Sequence, residues 1–282
     1  MRSWLVVALL VHAVAAAPKP KPTPQAAVEE LVRAHVVEMP KHKADSIADK
    51  AVVYLDLGQH PTIGDGPGER LGDSYYADVQ AEITHKVTKL VVQLDDTNAF
   101  AWFQVQYDVT SLSGMDNSKA TWPERAAGLA AKVGDAWKIT AIAYTQLISD
   151  HDLVTREPRF HMSDMPKGDP TVKGDAALAK TVAGWLKTGF AGHAAKATIA
   201  SGSSPGELQS GAGVDKLVKS WDKLGLVPRT IEAAKVGSYA FVQAEVAMPI
   251  KNSKKTAPLF LYVVLDPDGK WVSLQYGATM MM

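Results

Sequence analysis

The first clear periodicity along the chain is helical. Val28, Leu31, Val32, Val36 and Met39 are apolar, and His35 falls in the same stripe. Spacing of i, i+3, i+4, i+7, i+8 and i+11 is that of one buried helix face. Pro40 ends it. A short second helix is expected over Ala44 to Val53. A Gly/Pro-rich loop follows from Gly58 to Gly68, and a further helix opens near Asp73 with Tyr75, Tyr76 and Val79 on one side. From Ile83 the period becomes two. Strands are expected over Val87–Leu94, Ala99–Val109, Glu124–Val133 and Trp137–Leu147, with turn residues at Asp95-Asp96, Ser113-Gly114 and Gly134-Asp135.

The second half repeats this order. Leu178, Val182, Trp185, Leu186 and Gly189 reproduce the first stripe, with Trp185 where the first copy has His35. Val214, Leu217, Val218 and Trp221 mark the later helix. Phe100-Ala101-Trp102-Phe103-Gln104 lines up with Tyr239-Ala240-Phe241-Val242-Gln243, and the hairpin around Trp137 lines up with that around Trp271. Three helices followed by four strands, twice in order, reads as a duplication; chance likeness of two α+β domains is the alternative. Pro158, Pro166, Gly168 and Pro170 break both periods, so 151–173 reads as a linker between domains at 25–150 and 174–282.

The N-terminus changes the picture. Arg2, the run Trp4 to Val14, apolar apart from His12, and the small residues of Ala13-Val14-Ala15 have the order of a secretory signal peptide, expected over 1–16, with a buried N-terminal helix as the alternative. The run is too short for a comfortable bilayer span. A Pro-rich leader follows over 17–24. The expected product is exported, periplasmic or extracellular, and not membrane-embedded. Composition then narrows the chemistry. Lys+Arg and Asp+Glu both number 30, so no net field recruits nucleic acid. With no cysteine, disulfides, thiol nucleophiles and a lipid-anchoring thiol are all excluded.

Helices first, then a curved sheet closing on Gly134-Asp135-Ala136-Trp137-Lys138-Ile139 and again on Asp268-Gly269-Lys270-Trp271-Val272, resembles the NTF2-like (SnoaL-like) superfamily. The resemblance implies an α+β fold. Two tandem NTF2-like cone domains are expected, each with about three helices packed on a curved antiparallel sheet. It also implies a conical pocket, which family members use for isomerase, dehydratase or cyclase chemistry or for binding alone. So widely reused a fold does not assign an activity.

Two residues are weak candidates for catalysis. His35 lies on the apolar helix face, where an imidazole titrates near neutrality; a core histidine bonded to a carbonyl is the plainer reading. Asp56 follows Ala51-Val52-Val53-Tyr54-Leu55, near where the isomerases carry their carboxylate base; a surface Asp opening a loop is the plainer reading. Neither first helix has the oxyanion-stabilising Tyr of the isomerases, which counts against enolisation. Tyr54, Phe103, Tyr107 and Tyr144 are candidates to line a cavity for an apolar ligand, or are simply core. Trp102, Gln104 and Gln106 point the opposite way from Phe103, Val105 and Tyr107. With Phe241, Gln243 and Glu245 in the second copy, they suit sheet-to-sheet packing as an internal pseudo-dimer. His42, His60, His85, His151, His161 and His193 show no metal-ligand spacing. Gly64-Asp65-Gly66-Pro67-Gly68 lacks the Lys-Ser/Thr ending of a phosphate loop. No metal or cofactor is implied. The residues favour an exported, non-catalytic module that binds a small apolar ligand or an envelope protein partner. An isomerase-, dehydratase- or cyclase-like enzyme in the first domain is one alternative, and a purely structural interaction protein the other.

Overall fold

The computed structural model describes residues 21–39, 46–54, 81–113, 117–147 and 163–277. The signal, the first half of the leader, Asp56, the Gly58–Gly68 loop, the helix expected near Asp73 and His151 lie outside them.

Helix α1 spans Pro24–Glu38. Thr23 caps it, its hydroxyl accepting from the Ala26 amide, and Pro24 sits in the first turn, where a missing N–H costs nothing. Val28, Val32, His35 and Val36 are buried, as the stripe requires. Residues 47–54 are not helix. They form strand β1 (Ile47–Tyr54), which pairs parallel with the last strand of its sheet. The run Ala51-Val52-Val53-Tyr54 carries β-branched and aromatic side chains that suit a pleated surface, and tertiary pairing overrides the weak helical spacing. The long strands follow as β2 (Ala81–Leu94), β3 (Phe100–Ser113), β4 (Lys119–Val133) and β5 (Ala136–Gln146), in sheet order β1-β5-β4-β3-β2. The sheet is therefore mixed, antiparallel except for β1 against β5.

Within the expected linker, β6 (Ser163–Asp164) and β7 (Thr171–Gly174) are strands. They pair with strands of the second unit. That unit continues with α2 (Ala176–Thr188), β8 (Ala194–Ser201), β9 (Leu208–Ser210), α3 (Ala212–Trp221), β10 (Val227–Val236), β11 (Tyr239–Pro249), β12 (Lys255–Leu265) and β13 (Trp271–Gly277). Its sheet runs β7-β10-β11-β12-β13-β8-β9, with β8 parallel to β13 as β1 is to β5. The middle helix expected in each copy is thus a strand parallel to the last one in both, at the sheet edge in the first and flanked by β9 in the second.

One sequence equivalence shifts. In the first sheet Ala130 pairs Ile139 next to a bulge, and in the second Leu265 pairs Trp271 next to a bulge. Trp271 is therefore level with Ile139, not with Trp137. The first hairpin is longer: it runs on to Val133 opposite Ala136 around the two-residue Gly134-Asp135 turn. The second closes earlier, where the Asp266 carboxylate holds the Lys270 amide at 2.8 Å.

Each sheet buries its concave face against its helices. Phe103, Val105, Tyr107, Ala126, Ile139, Ile142 and Tyr144 pack with Val28, Val32 and Val36 of α1. The other faces meet each other: Trp102, Leu129, Ala141 and Ala143 pack against Ile199, Phe241, Tyr262 and Val264. Burial on both faces is why the alternation blurs into buried runs such as Ala101–Val105. At Gly237 a positive φ of 64° and the Phe100 ring, 2.8 Å from where a Cβ would stand, both require glycine.

Candidate functional site

The concave side of the first sheet should be apolar throughout, since α1 covers it. Instead it holds a set of buried polar side chains. His35, on the inward face of α1, is 1% exposed. Its Nδ1 lies 2.7 Å from Ser46 Oγ, just before β1, and its Nε2 lies 2.6 Å from the Tyr144 hydroxyl on β5. Across β4, Glu124 is 1% exposed. Its carboxylate accepts from the Tyr107 hydroxyl at 2.9 Å and from the Trp122 indole N–H at 2.8 Å. Tyr107 stands opposite Glu124 in the β3–β4 register, and Trp122 is two residues along the same face, so the pleat itself brings the three together. His85 packs on Tyr107, ring centroids 5.0 Å apart, and its Nδ1–H donates to the Val36 carbonyl at 2.9 Å.

Burial sets the protonation of the group. It pulls His35 down from 6.5 to about 4, with a further push from nearby His85. Burial likewise pulls His85 to about 4, against the opposing effect of its bond to Val36. It drives the Tyr144 phenol up, with the Glu124 charge adding to the shift. At neutral pH both imidazoles and the phenol are uncharged. The arrangement is a fixed array of neutral donors and acceptors beside one carboxylate whose two oxygens are each engaged. It is a buried polar network inside an apolar shell, its members bonded to one another and to the backbone.

Of the residues singled out by sequence, the structure brings His35, Phe103, Tyr107 and Tyr144 into one cluster. Phe103 packs against Gly128 of β4, where any Cβ would collide with its ring. Tyr54 lies in β1, its backbone level with Ala143. Ser46, His85, Trp122 and Glu124 are the members that sequence reasoning missed. The sequence offers for Glu124 only its place within a strand, two residues from a Trp. In the sequence His85 stands out only as one of the scattered histidines. Among the described residues no group of three or more His, Asp or Glu converges as a metal would need, and no helix is long and apolar enough to cross a membrane.

In the second unit the corresponding interior is packed. Trp185 and Trp221 stack on His193 and Tyr276, and the Trp271 indole N–H donates to the Phe190 carbonyl at 2.8 Å. A cavity of about 20 Å³ opens between Trp185, Phe190, Trp221, Leu226 and Leu261, room for about one water.

A helix laid across long antiparallel strands, with a further strand returning parallel to the last one, occurs here twice in tandem, the layout that the NTF2-like resemblance implies. No protein-family model and no curated protein matches the chain. Solved structures that are similar to it include three bacterial proteins. One is described as a putative aromatic ring hydroxylase from Novosphingobium aromaticivorans (18% identity, TM-score 0.38, covering 45% of this chain and 90% of that one). Another is an NTF2-like superfamily protein from Salmonella enterica serovar Typhimurium (11%, 0.38, 45% and 93%). The third is ActVI-ORFA from Streptomyces coelicolor (9%, 0.37, 45% and 96%). Each match spans most of the other protein and less than half of this one. At these identities the likeness is one of fold alone.

Proposed function

We propose that the first unit is the binding part of an exported protein, taking a small, mostly apolar ligand that carries one polar group, and that the second unit is its permanent cover. The observation that carries this reading is the buried His35–Tyr144 and Tyr107–Glu124–Trp122 contacts inside a core whose counterpart in the second unit is apolar. A core needs no such groups for stability, because burying them costs free energy that their bonds only offset. The second unit, with its outer sheet face against the first, takes the position that a partner subunit would take, as in an internal pseudo-dimer. The Arg2 to Ala15 segment supports export.

Native mass spectrometry of the mature protein purified from its own host, compared with the denatured mass, tests the reading. A surplus mass lost on denaturation is the expected result. A bare mass across several growth conditions overturns it in favour of the structural alternative. A ligand that is converted chemically during incubation moves the reading to the acid–base enzyme.

A further inference from the structure

Glu124 and Arg125 are neighbours on β4, so their side chains leave opposite faces of the sheet. Glu124 points into the first unit's interior. Arg125 points into the joint between the two sheets, where it is fully buried. Its guanidinium donates to the Gly202 carbonyl, to Ser204 O at 3.1 Å and to Pro205 O at 3.5 Å, all in the second unit, and to Gln106 Oε1 at 2.9 Å. Neutral oxygens thus solvate a buried cation, an arrangement that holds only while every partner stays in place.

The second unit's loop is built to stay in place. The Ser204 amide donates to Glu207 Oε2 at 3.1 Å, and the Glu207 amide donates back to Ser204 O at 3.1 Å. The Ser204 side chain also accepts from the Glu207 backbone N–H, which completes a capping box around the short turn Pro205–Glu207. Burial lowers the guanidinium pKa to about 10, and the nearby Glu207 charge works against that shift. A second link grips the backbone of the same residue. Gln275 Nε2 donates to Thr145 Oγ1 at 2.6 Å, and that hydroxyl donates to the Arg125 carbonyl at 3.4 Å. The Glu124–Arg125 pair is therefore held from both faces of β4: Arg125, by side chain and carbonyl, through contacts that lead to the second unit, and the Glu124 carboxylate by Tyr107 and Trp122.

We infer that Arg125 is a positioning residue: through it the loop 202–207 of the second unit sets where Glu124 stands in the first unit's interior. The second unit is then a working part of the site and not only its cover. This rests on reading the Glu124 cluster as the floor of a ligand site, but the test needs no ligand. The full chain is labelled with 5-fluorotryptophan, and ¹⁹F NMR resonances are assigned by single Trp→Phe replacements. Trp122 reports the bond to Glu124, while Trp221 and Trp271 report the second unit's core. Arg125→Met is expected to shift the Trp122 resonance by more than its line width and to leave Trp221 and Trp271 in place, and Arg125→Lys to restore part of the shift. Glu207→Ala, half-exposed and safer to fold, is expected to move Trp122 in the same direction by less. An unmoved Trp122 resonance in a folded Arg125→Met chain overturns the inference, and should that variant not fold, an unmoved resonance in Glu207→Ala does so. A bare native mass would remove the ligand site but leave the coupling standing; a null shift would remove the coupling whatever the mass shows.

Discussion

The two units share a strand order and differ in what they enclose. Strand register makes the comparison residue by residue. Trp102 pairs Leu129 as Phe241 pairs Val264, so Tyr107 is level with Val246 and Glu124 with Leu259, a pair that also stand opposite each other. Trp122 is level with Ala257, Tyr144 with Tyr276, and His35 falls where the second helix has Trp185. Only Tyr144 keeps its residue type. Its hydroxyl meets an imidazole, whereas that of Tyr276 meets the Met248 sulfur at 3.6 Å. A cone can therefore fold well when filled with Trp, Leu and Val, so the polar set in the first unit is not a requirement of the fold.

The comparison breaks most visibly if the second unit is not the rigid one. Trp271 is 1% exposed and fills that core. Trp271→Ala is expected to cost about 3–5 kcal/mol in urea unfolding, the usual range for emptying an aromatic site. A loss under 1 kcal/mol would mean that the second interior is loose, and would return the functional question to both units.

Acid separates the units next. The folded His35 takes up a proton only near pH 4, whereas the unfolded one does so near 6.5. Between those values the unfolded state binds more protons, so stability falls as the pH drops through that window and is unaffected by this group above it. The loss attributable to His35 is about 3 kcal/mol when the window is crossed completely. Carboxylates contribute to any acid profile, so the measurement is the difference between the native chain and His35→Leu across pH 7 to 4. Parallel profiles would show that His35 is not held neutral.

Much of the fold was legible because the chain carries its periods openly. The α1 stripe, the later helix at Val214 to Trp221 and the four long strands of each copy all follow from spacing. The strand that returns parallel to the last one was not legible. Residues 47–54 and 194–201 gain their conformation from pairing with β5 and β13, partners about ninety and seventy-five residues away, and local propensity does not report that. The site was half legible for a related reason. His35 stood out because it breaks an apolar stripe. Glu124 sits at a strand position where a solvent-facing Glu would look the same, and only the register that sets it against Tyr107 reveals it as buried.

Glu124 is accordingly the place to convert one unit into the other. Glu124→Leu copies the residue at the level position of the second unit. It leaves the Tyr107 hydroxyl and the Trp122 N–H without that acceptor, at an expected cost of about 2 kcal/mol in thermal or denaturant unfolding. A neutral result would mean that the first interior is as indifferent to polarity as the second.

The smallest effect gives the finest test. Tyr144→Phe removes one hydroxyl and leaves the ring packed among Val28, Val32 and Ile142. Shape is conserved, so the change acts through the hydroxyl that meets His35 Nε2, and about 1 kcal/mol is expected. His35→Leu alone mixes that contact with the bond to Ser46 and with the loss of a desolvated imidazole. The two changes together separate these terms. If the pair acts as a unit, Tyr144→Phe costs nothing once His35 is already Leu, and the cycle returns a coupling of about 1 kcal/mol. If the two losses simply add, the 2.6 Å contact is incidental to packing, and the polarity that distinguishes the first unit reduces to the Glu124 cluster alone.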